Sequence, residues 1–84
     1  MIDSRIRWRC RRGIRELDVA LQRFLEINGN LLTARETEKF EELLDVPDPD
    51  LMDWIYNKGS PNDQELVSLV ERIRDAAAHP VTIQ

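Results

Sequence analysis

Glu16-Leu17-Asp18-Val19-Ala20-Leu21-Gln22-Arg23-Phe24-Leu25-Glu26-Ile27-Asn28-Gly29-Asn30 is the stretch from which the fold can be read. Leu17, Ala20, Leu21, Phe24 and Leu25 recur at i, i+3, i+4, i+7 and i+8, one stripe of an amphipathic helix rather than the alternating faces of a strand. Asn28-Gly29-Asn30 ends that helix, because Gly and Asn tolerate the left-handed conformation of a C-terminal cap. Downstream, Thr33-Ala34-Arg35-Glu36 reads as a capping box, and the helix it opens carries Phe40, Leu43 and Leu44 on its apolar face. Pro47 stops it. Asp48 caps a fourth helix with Pro49 in the first position, Leu51, Trp54 and Ile55 on its buried stripe and Gly59 closing it. Ser60-Pro61 repeats the device, with Asp63 in the first turn. Leu66, Leu69, Val70, Ile73, Ala76 and Ala77 form the stripe of the last helix, Pro80 ends it, and residues 79–84 form a flexible tail.

Upstream, Ile6, Trp8 and Cys10 alternate with Arg5, Arg7, Arg9 and Arg11, which is a strand pattern. No second run offers a strand partner, and an isolated strand leaves its backbone groups unpaired. The segment is therefore read as a short helix, with Ile2, Ile6 and Cys10 on one face and Trp8 turned toward Arg11, Arg12 and Arg15. The chain is expected to be all-α: a compact five-helix bundle, one domain over residues 1–84.

The 84 residues bound what this domain can do. A chain of this size buries only about 60–65% of its unfolded surface, which leaves little room for a cofactor cleft. With 33% charged and 42% hydrophobic residues it reads as a globular protein, and it has no apolar run of the roughly eighteen residues a membrane span needs. One cysteine, Cys10, and one histidine, His79, exclude an internal disulfide framework and argue against a structural zinc site. His79 has no neighbour that completes a triad or a metal set. No phosphate loop, nucleophile–base pair or dinucleotide fingerprint occurs, so an independent enzyme is not expected.

Charge is distributed unevenly. Residues 1–15 hold six arginines and one acid, which is +5; residues 16–84 hold six basic residues and fifteen acids, which is −9. An Arg-rich arm engages phosphates, but a body at −9 repels the same backbone. Docking on a protein suits the segment better than nucleic acid. The segment also mimics an Arg-rich, acid-poor presequence, yet it runs without a linker into the turn at Gly13 and is read as mature protein.

The densest chemistry lies in Arg11-Arg12-Gly13-Ile14-Arg15-Glu16-Leu17-Asp18. Gly13 terminates a helix at positive φ, or leaves bare backbone that a partner can approach; the two roles are compatible. Arg12 and Glu16, four apart, flank the turn. Trp8 and Arg11 are residue types enriched at interface hot spots. Trp54 and Cys10 are read as core.

These residues resemble a known family. Arg12-Gly13-Ile14-Arg15-Glu16 matches the R-G-x-x-E motif, and Asp48-Pro49-Asp50-Leu51-Met52-Asp53-Trp54 is similar to a D-P-D-L-x-x-W segment, both of the FAD assembly factors of succinate dehydrogenase and fumarate reductase. Arg15 fills a variable motif position with an extra charge. The resemblance covers nearly the whole chain and implies a small five-helix protein. Such a protein binds the flavoprotein subunit, promotes covalent attachment of FAD to one of its histidines and then leaves. It implies a non-catalytic chaperone that holds no cofactor of its own stably and acts on the partner's FAD, a monomer, cytoplasmic like the bacterial members. The expected partner-binding residues are Trp8, Arg11, Arg12, Gly13, Glu16 and Asp18. An antitoxin-like or regulatory protein-interaction module, and a nucleic-acid binder using the Arg-rich N-terminus, stand as alternatives.

Overall fold

The apolar stripe of residues 16–30 does form the central helix. The computed structural model describes residues 2–78. Its elements are α1 (Ser4–Arg9), α2 (Arg15–Asn28), α3 (Ala34–Leu44), α4 (Asp48–Tyr56) and α5 (Gln64–Ala78), with a 3-10 turn at Gly29–Leu31. Among the described residues there is no strand, and no helix is long and apolar enough to cross a membrane. The expected tail at 79–84, His79 included, lies outside the described residues.

Leu17, Ala20, Leu21, Phe24 and Leu25 are all buried, and α2 makes its main packing partnership with α5, through Leu69, Val70, Ile73 and Ala76. The Phe24 and Phe40 rings stack at 5.3 Å between centroids, joining α2 to α3. Burying a side chain of this size contributes about 1.5–3 kcal/mol, so these positions supply most of what holds the helices together. α1 is a helix, as the missing strand partner requires. Asp3 caps it by accepting from the Ile6 N–H at 3.0 Å, Ile6 and Cys10 enter the core, and Ile2 packs at its edge. Trp54 is half-buried against the same core.

Four punctuation readings are corrected. Gly29 is right-handed, at φ −55°, and buried; α2 tightens into the 3-10 turn instead of reversing through a left-handed cap. Asp48 is the first residue of α4, behind Pro47, and makes no capping hydrogen bond. Gly59 lies beyond the end of α4, which is capped at Asn57, and its carbonyl accepts from Arg74 Nη2 at 3.0 Å. The α5 cap is Asp63, not Ser60: its Oδ1 accepts from the Glu65 N–H at 2.8 Å and its carbonyl from the Val67 N–H at 2.9 Å. The Thr33–Glu36 capping box forms in full.

Ionic contacts bind the outer edge of α3 to α5. Lys39, only 8% exposed, donates to Asp63 at 2.7 Å and Glu42 at 3.0 Å. Arg35 grips Glu65 through two parallel bonds of 2.9 and 2.7 Å, and Arg72 reaches Glu36 at 3.0 Å.

Candidate functional site

Gly13 joins α1 to α2 at φ +88°, the single positive φ among the described residues. An L side chain is strained there, so glycine lets the chain reverse between the helices. Contrary to expectation it does not end α1, because that helix already stops at its cap, Cys10, and Gly13 lies beyond it. A Cβ built on Gly13 meets nothing within 4 Å. The turn therefore needs glycine for its backbone, and its surface is open.

The residues around it divide into two groups. Trp8, Arg11 and Glu16 are exposed, Trp8 to 70%. The Arg11 guanidinium lies over the Trp8 ring at 5.3 Å, a cation–π arrangement that keeps both side chains together at the surface. Arg11 also lines a shallow cleft of about 170 Å³ with Arg7, Gln22, Leu25 and Glu26. That cleft is well below the roughly 300–1,000 Å³ of ordinary ligand pockets.

Arg12 and Asp18 point inward. The Arg12 side chain is 15% exposed, and its Nε donates to Asp48 Oδ1 at 2.7 Å. Its Nη1 donates to the Leu44 carbonyl at 2.7 Å and its Nη2 to the Val46 carbonyl at 2.9 Å. These carbonyls lie at the C-terminal end of α3, which has no basic residue of its own in its last turn. Arg12 supplies the positive charge that a helix C-terminus favours. Asp18 accepts from the Arg12 backbone N–H at 2.5 Å. The expected arrangement of Arg12 and Glu16 flanking the turn as paired outward charges is thus altered: Glu16 is presented and Arg12 is not.

The same division applies to the N-terminal charge cluster. Arg9 pairs with Asp45, the residue that caps α3, at 2.5 Å, so Arg9 and Arg12 both fasten the front of the chain to the end of α3. Arg5 lies 3.9 Å from Asp3. Arg7, Arg11 and Arg15 are exposed and, among the described residues, have no carboxylate partner.

Sequence reasoning missed two residues that shape the site. Local sequence gives Asp48 only a capping role, and its place in a motif segment is the available signal that it does more. Tyr56, at the other end of α4, donates to the Glu16 carbonyl at 2.8 Å; nothing in its local sequence announces this. Its phenol is held above the usual range, first by burial and then by the Glu16 charge. Cys10 is fully buried beneath the turn, and desolvation pushes its thiol up to about 11 despite the nearby arginines. It is core, not a nucleophile.

Comparison with known proteins bears on this site. Residues 4–77 match the family described as the flavinator of succinate dehydrogenase. FAD assembly factor SdhE of Yersinia pseudotuberculosis is 43% identical over 82 residues, covering 95% of this chain and 93% of that protein. The Coxiella burnetii protein of the same name is 40% identical over 78 residues, 93% and 95% of the two chains. That of Pectobacterium atrosepticum is 44% identical over 71 residues, 84% and 81%. An all-helical chain with this turn and these relatives belongs to the family of FAD assembly factors, the flavinators of succinate dehydrogenase.

Proposed function

We propose that this chain binds the flavoprotein subunit of succinate dehydrogenase, and of fumarate reductase, in the cytoplasm and promotes covalent attachment of FAD to it. It acts as a monomeric assembly factor, not an enzyme, and holds no flavin of its own. The observation that carries this reading is the Gly13 turn, left-handed and open to the surface, beside exposed Trp8, Arg11 and Glu16.

Bare backbone at Gly13 admits a closely packed partner surface. Trp8 and Arg11 add an aromatic and cationic contact on one side of the turn, and Glu16 an anionic one on the other. Arg12 and Asp18 belong to the same surface from beneath, fixing its shape. Covalent attachment needs a poised histidine, an oriented flavin and stabilised charge on the ring. A helper promotes it by holding the subunit's own groups in a productive arrangement, since correct orientation and preorganised electrostatics lower the barrier without any group of the helper reacting.

In-gel fluorescence of covalent flavin, in cells with and without the gene, tests the function. Deletion is expected to remove the flavinylated band and the parent gene to restore it; an undiminished band on deletion overturns the reading. Gly13→Arg, confirmed folded by circular dichroism, tests the docking turn. It is expected to restore no band, and full restoration removes Gly13 from the contact.

A further inference from the structure

Arg12 and Asp48 lie in two separate segments of the sequence that carry the family resemblance, and they meet in a half-buried ion pair of 2.7 Å, 15% and 29% exposed. We propose that this pair is a positioning clamp: neither residue touches the flavoprotein, and together they hold the Gly13 turn in the one shape that docks. The proposal deepens the docking reading above and rests on it.

Three observations support a clamp over a contact. First, every guanidinium nitrogen of Arg12 is already engaged, Nε with Asp48, Nη1 with Leu44 and Nη2 with Val46. A partner that took this side chain would leave two carbonyls and a carboxylate without their donor, a desolvation cost that opposes binding. Second, the same residue is pinned through its main chain, its N–H donating to Asp18 Oδ1 at 2.5 Å. Gly13 follows directly, and Ile14 on its far side packs against the core and accepts from the Asp18 N–H at 2.9 Å. The glycine, which has the widest conformational freedom of any residue, is therefore held on both sides. Third, Asp48 spends its carboxylate on Arg12 rather than on the first turn of its own helix. The planar fork of arginine is what allows one side chain to reach a carboxylate and two carbonyls at once; lysine, a point charge with one nitrogen, reaches fewer.

A clamp acts on the population of docking-competent chains. Where a fraction f has the right turn, the apparent dissociation constant rises by 1/f, and the loss appears in the association rate. A lost contact appears instead in the dissociation rate, as most interface substitutions do.

The test compares Arg12→Gln, Arg12→Lys, Asp48→Asn and the double variant Arg12→Gln/Asp48→Asn with the parent. Association and dissociation are measured against the apo-flavoprotein subunit of succinate dehydrogenase, and the Gly13 amide resonance is followed in the free chain. If the competent turn falls to about one tenth of the population, each single variant associates about tenfold more slowly with unchanged dissociation. The double variant is no slower than the worse single one, Arg12→Lys gives no rescue, and the Gly13 resonance moves in all of them. Faster dissociation of Arg12→Gln, with Asp48→Asn indistinguishable from the parent, overturns the clamp and makes Arg12 a direct contact. An unmoved Gly13 resonance in the free variants also overturns it. Failure of the parent itself to bind the flavoprotein sinks the docking reading instead, and the free-chain resonance still decides the clamp.

Discussion

The Tyr56 hydroxyl donates to the Glu16 carbonyl at 2.8 Å, joining the last residue of α4 to the first turn of α2. Asp48, at the opposite end of α4, holds Arg12. One nine-residue helix thus braces the Gly13 turn from both sides. Tyr56→Phe removes one partly exposed hydrogen bond and keeps the ring, so it is expected to cost about 0.5–1 kcal/mol in urea unfolding. A larger loss would mean that the ring, and not the hydroxyl, fastens α4 to α2.

Gly13→Ala and Gly13→Asn separate strain from contact. Alanine at φ +88° is expected to cost about 1–2 kcal/mol, and asparagine, which tolerates the left-handed region, less. Both add a side chain to the open face, so both are expected to weaken flavoprotein binding. Binding that follows stability, with the Gly13→Asn variant docking like the parent, would confine the glycine's role to the backbone.

Thr33→Ala dismantles the capping box at the start of α3, where Glu36 N–H donates to the Thr33 hydroxyl at 3.0 Å and the Glu36 carboxylate accepts from the Thr33 N–H at 2.9 Å. A loss of about 1 kcal/mol in thermal or urea unfolding is expected. Flavinylation is expected to be unaffected at temperatures where the variant is folded, because α3 begins far from the turn in sequence and faces α5 through its ionic edge.

Stability has an acid and an alkaline limb. Glu36, Asp63 and Glu65 are held below their ordinary values, by the Thr33 backbone, the Lys39 ammonium and the Arg35 guanidinium respectively. Their contribution is complete above the unfolded values, 4.5 for Glu and 3.8 for Asp, and is lost as pH falls through the lower folded ones. Asp63→Asn keeps an N-cap for α5 and is expected to flatten this limb. Cys10 and Tyr56 are raised, Lys39 is raised by its hydrogen bonds to Asp63 and Glu42, and Arg35 by Glu65. Folded chains keep these protons longer than unfolded ones, so stability declines as pH rises above 9, the unfolded cysteine value, toward the folded Cys10 value of about 11. Urea midpoints across pH measure both limbs.

Cys10 is 0% exposed, so a thiol reagent is expected to label it only through opening of the α1–α2 region. Labelling at about pH 8, near the ordinary thiol range, should be slow in the native chain and immediate in urea. Rapid native labelling would show that α1 detaches readily, and the Arg9–Asp45 and Arg12–Asp48 pairs would not then be holding it.

The helices were legible because their signals are local. The stripe from Leu17 to Leu25, the Thr33–Glu36 box and the shared face of Ile6 and Cys10 each follow from spacing within a few residues, and the structure has all of them. Errors fell at helix ends, where several candidates compete for one cap. Asp63 caps α5 in place of Ser60, and Gly29 stays right-handed because the chain continues into a 3-10 turn.

By itself the sequence determined the helical class, the exposed Trp8 and the need for glycine at position 13. All three depend on periodicity or on a backbone conformation that one residue type suits. Only the tertiary structure decided where the arginines go. Arg12 finds its acceptors 32, 34 and 36 residues away, and Arg9 finds Asp45 at a distance of 36. An arginine written beside its neighbours looks the same whether it faces a partner or closes a helix end. Folding brings the end of α3 under the turn, and the field of those carbonyls selects which guanidinium turns inward.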